Sequence, residues 1–105
     1  MADTPEAKVK KKVKAVLESL GAYYTMPLGA GFGVAGVPDF LCCVDGVFLA
    51  VETKAGKGKT TALQDRQLGA ITTAGGHALV IRETNINELE EKLIWIKQNS
   101  TALRR

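Results

Sequence analysis

The sequence predicts an α/β fold of order α-β-β-β-α-β-α, a mixed central sheet flanked by helices. Three observations carry the prediction. Two apolar, largely β-favouring segments, 39–44 and 47–53, are separated by Asp45-Gly46, a pair that favours a two-residue hairpin turn. Apolar residues recur at helical spacing before, between and after the strand-like segments. Glycines fall where each of the first two helical stripes should stop.

Thr4 and Pro5 read as an N-cap and first helical residue, and Val9, Val13, Val16, Leu17 and Leu20 follow at helical spacing up to Gly21. Tyr23 to Leu28 reads as a short strand. Gly29, Gly31, Gly33 and Gly36 then form a loop that ends at Pro38. The hairpin comes next, followed by a polar turn from Ala55 to Thr61. A second helical stripe, Leu63, Gln67, Ala70, Ile71 and Ala74, closes at Gly75-Gly76. His77 to Arg82 is the fourth strand. Ile86, Leu89, Leu93 and Ile96 mark a last helix opened by Thr84 or Asn85, with Ser100 to Arg105 expected as a frayed tail.

The 105 residues, 46% of them hydrophobic, suffice for one modest core, so one domain is expected over 1–105. Formal net charge is only +3. The lysines are unevenly placed, however: Lys8, Lys10, Lys11, Lys12 and Lys14 crowd one end, and Lys54, Lys57 and Lys59 form a second cluster. This distribution suits a polyanionic partner or a solvated helix face. The two cysteines, Cys42 and Cys43, are neighbours that point to opposite sides of a strand, so they read as small core residues in a reducing compartment. A single histidine leaves no common four-ligand zinc set, whereas carboxylates favour magnesium or manganese. No signal-peptide run and no membrane-length apolar run is present, so a soluble intracellular protein is expected.

A type I′ turn at Asp45-Gly46 pairs residues whose numbers sum to 91 and so sets Asp39 opposite Glu52. Directly opposed side chains stand roughly 4.5–5.5 Å apart at Cβ, close enough for two carboxylates to share a cation. Lys54 falls on the same face as Glu52. Both hairpin strands are apolar on both faces, which predicts central, covered strands. Two like charges at the end of such a hairpin repel unless one protonates or a cation neutralises them. Solvated strand ends or a bulge would keep the pair apart. Five consecutive apolar residues before Glu52 argue against simple exposure.

As chemistry, Asp39 and Glu52 offer hard oxygen ligands, and Lys54 can orient a water or stabilise negative charge; a plain ion pair with Glu52 is its simpler role. Glu6, three residues before Val9, can reach a metal from the first helix or merely suit that helix's dipole. Gly31 to Gly36 fits G-x-G-x-x-G but precedes a strand, and Gly58-Lys59-Thr60 lacks the first glycine of a phosphate loop, so no nucleotide cofactor is expected. Both loops flank the carboxylates, where amides and Lys57 or Lys59 can hold phosphates. Phe32 is the one stacking candidate there.

Gly36-Val-Pro-Asp39-Phe-Leu, then Val51-Glu-Thr-Lys54, Leu63-Gln64 and Ala74-Gly-Gly together resemble the VRR-NUC family of PD-(D/E)xK nucleases, over most of the chain from the first helix to the fourth strand. The pieces are short, but their order and the hairpin between them are distinctive. The resemblance implies a restriction-endonuclease-like core. It further implies Asp39, Glu52 and the Thr53 carbonyl as ligands of Mg²⁺ (or Mn²⁺), Lys54 as the catalytic lysine, and Glu6 and Gln64 as matches to the family's first-helix acid and post-strand glutamine. Stand-alone phage and bacterial members of this size resemble homodimeric, junction-cleaving DNA endonucleases. On that reading Lys8, Lys11, Lys12, Lys57 and Lys59 contact DNA, and Ile94 and Trp95 offer apolar surface for a dimer or for the monomer's own core. The rival is a non-catalytic DNA-binding module of the same fold, which has no need of Asp39, Glu52 and Lys54 together. A protein-interaction domain using the last helix leaves the opposed carboxylates unexplained.

Overall fold

The computed structural model describes residues 3–28 and 34–104. Helix α1 (Pro5–Ser19) begins at Thr4, whose hydroxyl accepts the Ala7 N–H, with Pro5 in the first turn where its missing N–H costs nothing. It ends at Leu20 and Gly21, the latter at φ 72°. Strand β1 (Tyr23–Thr25) is shorter than the expected 23–28. Of the glycine loop, 29–33 with Phe32 lie outside the described residues.

The hairpin β2 (Phe40–Val44) and β3 (Val47–Thr53) keeps the predicted register, from Val44↔Val47 to Phe40↔Val51. Asp45 (φ 49°) and Gly46 (φ 81°) both take the left-handed backbone that a type I′ turn requires. Helix α2 (Ala62–Thr73) then crosses to β4 (His77–Ile81), which runs parallel to β3. The sheet is therefore mixed, in the order β1-β2-β3-β4.

One face of this sheet holds the core. Phe40, Cys42, Val44, Val47, Leu49, Val51 and Ile81 pack against Val9, Val13 and Leu17 of α1 and against Leu89, Leu93 and Ile96 of α3 (Ile86–Leu103). Full burial of each large side chain contributes about 1.5–3 kcal/mol before entropy is counted. Burial pushes the Cys42 thiol up to about 12, so it stays an unreactive core group.

The other face departs from the sequence expectation of strands covered on both sides. Ala50 and Glu52 are buried there, but Leu41 is only half-buried, and Cys43 and Phe48 are exposed. The reason is the placement of α2 over the β4 edge: Leu68 and Thr72 approach Ala78 and Val80, leaving an open groove between them. The stripe predicted for α2 is correspondingly displaced, with Leu63, Ala70 and Ala74 facing solvent. The tail also differs, because α3 continues through the expected frayed segment to Leu103. Ser100 is buried and Arg104 lies against the Gly46 turn. Among the described residues no helix is long and apolar enough to cross a membrane.

Candidate active site

The site forms at the open end of the hairpin, opposite the Asp45-Gly46 turn. The ladder stops at Phe40↔Val51, and Asp39 sits one residue before β2, in a bend that follows the buried Pro38. Asp39 and Glu52 nonetheless meet, through side chains rather than ladder bonds. The Asp39 N–H donates to Glu52 Oε1 at 3.2 Å, while Asp39 Oδ2 accepts from the Thr53 N–H at 2.9 Å and the Thr53 hydroxyl at 2.6 Å. Released from the pleat by the bend, the Asp39 carboxylate turns toward Thr53 and α1 instead of standing parallel to Glu52 on one face.

Each carboxylate thereby keeps one oxygen facing a lysine. Asp39 Oδ1 lies 3.8 Å from Lys10 Nζ of α1, and Glu52 Oε2 lies 3.5 Å from Lys54 Nζ. Glu52 is only 2% exposed, and Lys54 is held at the strand end by its N–H bond to the Ile81 carbonyl, 3.0 Å. Burial raises the Glu52 carboxyl above its ordinary value, and nearby Asp39 raises it further; Lys54 and the Asp39 N–H offset part of this.

Two carboxylates, each with one oxygen that faces only a lysine, offer the hard donors a divalent ion takes. Magnesium in particular keeps several waters and is held by one or two carboxylates together with substrate phosphates, so it needs no full protein cage. The donor set fits that description. Among the described residues no third His, Cys, Asp or Glu joins the two to form a larger metal-ligand group. Glu6 is half-buried on α1, one turn before Lys10, and lies outside such a group. Thr53 is buried, with its N–H and hydroxyl both directed to Asp39.

Gln64 caps a helix. With Thr61 it forms a capping box, Gln64 Oε1 accepting the Thr61 N–H at 2.9 Å and Thr61 Oγ1 accepting the Gln64 N–H at 3.1 Å. Gly36 binds this helix start to the loop that leads into Asp39. It has φ 83°, and a Cβ there would lie 2.6 Å from the Leu63 carbonyl group and 2.9 Å from the Gln64 nitrogen.

The basic residues divide. Lys11 pairs with Asp3 at 2.5 Å, whereas Lys8 and Lys12 line a cleft with Pro5, Val9 and Glu83. Lys57 and Lys59 are exposed on the loop after Lys54. That loop is fastened by residues that sequence patterns did not single out. Arg82 donates to the Gly56 and Gly58 carbonyls, and Glu83 Oε1 accepts the Gly56 N–H at 2.7 Å. Asn85 fixes Arg82 in turn, accepting its N–H and donating to the Val80 carbonyl at 3.0 Å. Nothing local marks Arg82, and nothing local sets Lys10 apart from the other lysines of α1.

No family model and no curated protein matches the sequence. Among solved structures, a VRR_NUC domain superposes with a TM-score of 0.71 at 27% identity, covering 85% of this chain and 97% of that one. Hjc, a Holliday junction resolvase from the archaeal hyperthermophile Archaeoglobus fulgidus, superposes with a TM-score of 0.57 at 22% identity, over 72% of this chain and 66% of that one. The second likeness concerns the fold. By the order of its motifs and by superposition of its fold, the chain resembles a VRR-NUC domain of the PD-(D/E)xK superfamily.

Proposed function

We propose that this protein is a Mg²⁺-dependent DNA endonuclease acting on branched or otherwise structured DNA such as four-way junctions, with Mn²⁺ able to substitute. The observation that carries the reading is the convergence of Asp39, Glu52 and Lys54 at the open hairpin end of a VRR-NUC-like fold. The junction-resolving activity named for the second structural neighbour supports the choice of substrate.

On this reading Asp39, Glu52 and the Thr53 carbonyl would hold the ion. Glu6 would be a further ligand, reaching it from α1. The bound ion supplies Lewis-acid stabilisation of the phosphoryl oxygens and lowers the pKa of water. Lys54, anchored by Glu52 and the Ile81 carbonyl, keeps its ammonium at the reacting phosphate, where it orients the attacking water and offsets developing charge. Gln64, with its carbonyl oxygen committed to Thr61, retains its amide N–H groups for the substrate backbone. Lys8, Lys11, Lys12, Lys57 and Lys59 hold flanking phosphates, those on the 55–59 loop through the Arg82 and Glu83 anchor.

The enzyme works in the cytoplasm as a homodimer. Support for the dimer comes from apolar surface left uncovered, with Phe48 and Tyr23 on the outer sheet face and Ile94 and Trp95 on α3. Light scattering on the purified chain measures it.

The deciding experiment is cleavage of duplex, flap, fork and four-way-junction DNA with Mg²⁺, Mn²⁺ or EDTA, with binding recorded in parallel. Asp39→Asn and Lys54→Ala are each expected to lower the cleavage rate by roughly 10²-fold or more while binding persists. A native chain that binds DNA but cuts nothing with either metal is the non-catalytic binding module instead.

A further inference from the structure

We infer that Lys10 is an exchangeable counter-ion: it balances Asp39 in the metal-free protein and moves to a DNA phosphate when a divalent ion takes its place. The inference rests on the metal-site reading above and adds to it a residue and a coupling between the two ligands.

It follows from counting charge at the hairpin end. Asp39 and Glu52 carry two negative charges, and Lys10 and Lys54 carry two positive ones at 3.8 and 3.5 Å, so the group is balanced as it stands. A divalent ion added to this quartet leaves two positive charges in excess, at a site where Glu52 is almost fully desolvated. It also competes with Lys10 for one atom. Asp39 Oδ2 is committed to the Thr53 N–H and hydroxyl, so Oδ1, the oxygen facing Lys10, is the one left for an ion.

The two lysines differ in their freedom to leave. The Lys54 side chain is 14% exposed and its backbone is bonded to β4, whereas the Lys10 side chain is 34% exposed on α1. Lys10 therefore swings outward on its flexible four-carbon stem, and Lys54 stays. Outward lies the flank of α1 that carries Lys14, one turn on, and Lys11 beside it. A phosphate bound there takes up the released ammonium. By linkage, DNA that draws Lys10 away uncovers Oδ1 and strengthens metal binding, and metal strengthens DNA binding by the same factor.

The test is Mn²⁺ titration of the full chain by calorimetry, with and without a phosphorothioate junction that gel analysis shows to stay intact through the titration. Native protein is compared with Lys10→Gln, with Asp39→Asn, and with Lys97→Gln, which removes one charge at the distant hairpin turn where Lys97 pairs with Asp45. Thermal melts confirm that each variant is folded. Without DNA, Lys10→Gln is expected to bind Mn²⁺ about two- to fivefold more tightly than native, the range of a partly exposed ion pair. Lys97→Gln stays at the native value. Lys10→Gln should also lose the tightening that DNA gives the native protein, and the salt dependence of its DNA binding should fall by about one phosphate contact. Equal or weaker Mn²⁺ binding by Lys10→Gln, with native binding still abolished by Asp39→Asn, overturns the counter-ion role alone. Mn²⁺ binding that is absent from native protein, or indifferent to Asp39→Asn, removes the metal site itself and this inference with it.

Discussion

Substituting Gly36 by alanine tests how the site is held, because the glycine loop approaches the start of α2 backbone to backbone. At φ 83° an alanine is strained by about 1–2 kcal/mol. Its Cβ would fall 2.6 Å from both the carbonyl carbon and the oxygen of Leu63, and backbone cannot swing aside as a side chain can. Overpacking of this kind costs typically about 1–3 kcal/mol, against a gain of roughly 0.4–1 kcal/mol from the stiffer unfolded chain. We expect a net loss of about 2–4 kcal/mol, which for a domain of this size lowers the melting temperature on the order of 10–20 °C. Two controls separate the contributions. Gly75 (φ 97°) has nothing within 4 Å, so Gly75→Ala carries the conformational strain without the clash, about 0.5–1 kcal/mol. Gly69, inside α2 and equally open, should stabilise the protein by about 0.5–1 kcal/mol as alanine. Urea unfolding of the three variants provides the comparison. If Gly36→Ala costs no more than Gly75→Ala, the loop is not seated on α2 as described, and the positioning of Asp39 by that contact is wrong.

Two further predictions concern the surroundings of the site. Arg82→Ala removes the donor to two loop carbonyls, so amides 55–60 should exchange with solvent faster while global stability falls by no more than about 1 kcal/mol; DNA affinity should drop through Lys57 and Lys59. Glu52 has a folded pKa above its ordinary value of 4.5, so between the two values the folded chain binds more protons than the unfolded one. In metal-free buffer its contribution to stability is therefore most favourable at low pH and declines as pH rises from 4.5 through the folded value; Glu52→Gln should remove that part of the slope in melts across the range.

What could be read from the sequence, and what could not, divides by the range of the interaction. The hairpin register was legible because Asp45-Gly46 dictates a turn type and the turn dictates every pair, which brought Asp39 to Glu52 and Lys54 without tertiary information. The helix ends at Thr4, Gly21 and Gly75 were legible for the same local reason. The bend at Asp39 was not, since it arises where the ladder ends and side-chain bonds from Thr53 take over. Nor was the exposure of Cys43 and Phe48 near the turn, because an apolar strand face does not say which helix will cover it. Arg82 was invisible because its partners, the Gly56 and Gly58 carbonyls, are 26 and 24 residues away and carry no side-chain signature. Lys10 stood in view among five lysines of α1, and only the packing of that helix against the hairpin end distinguishes it from the others.

The constant-sum pairing of the hairpin has a consequence for how this chain tolerates changes of length. The turn at one end and the carboxylates at the other are joined by two rails of equal span, so the hairpin acts as a ruler with a two-sided scale. One residue added to a single rail slides Asp39 past Glu52, or sends Glu52 and Lys54 to the opposite face, unless a bulge absorbs it. Adding one residue to each rail lengthens the ruler by a rung while leaving Asp39 and Glu52 at matched positions, though it reverses which way Glu52 points relative to the turn. Adding two to each restores that direction as well. Lengths in this hairpin can thus change in matched steps, and the spacing between the Pro-Asp and Glu-x-Lys pieces reflects the geometry of the sheet more than the chemistry at its end.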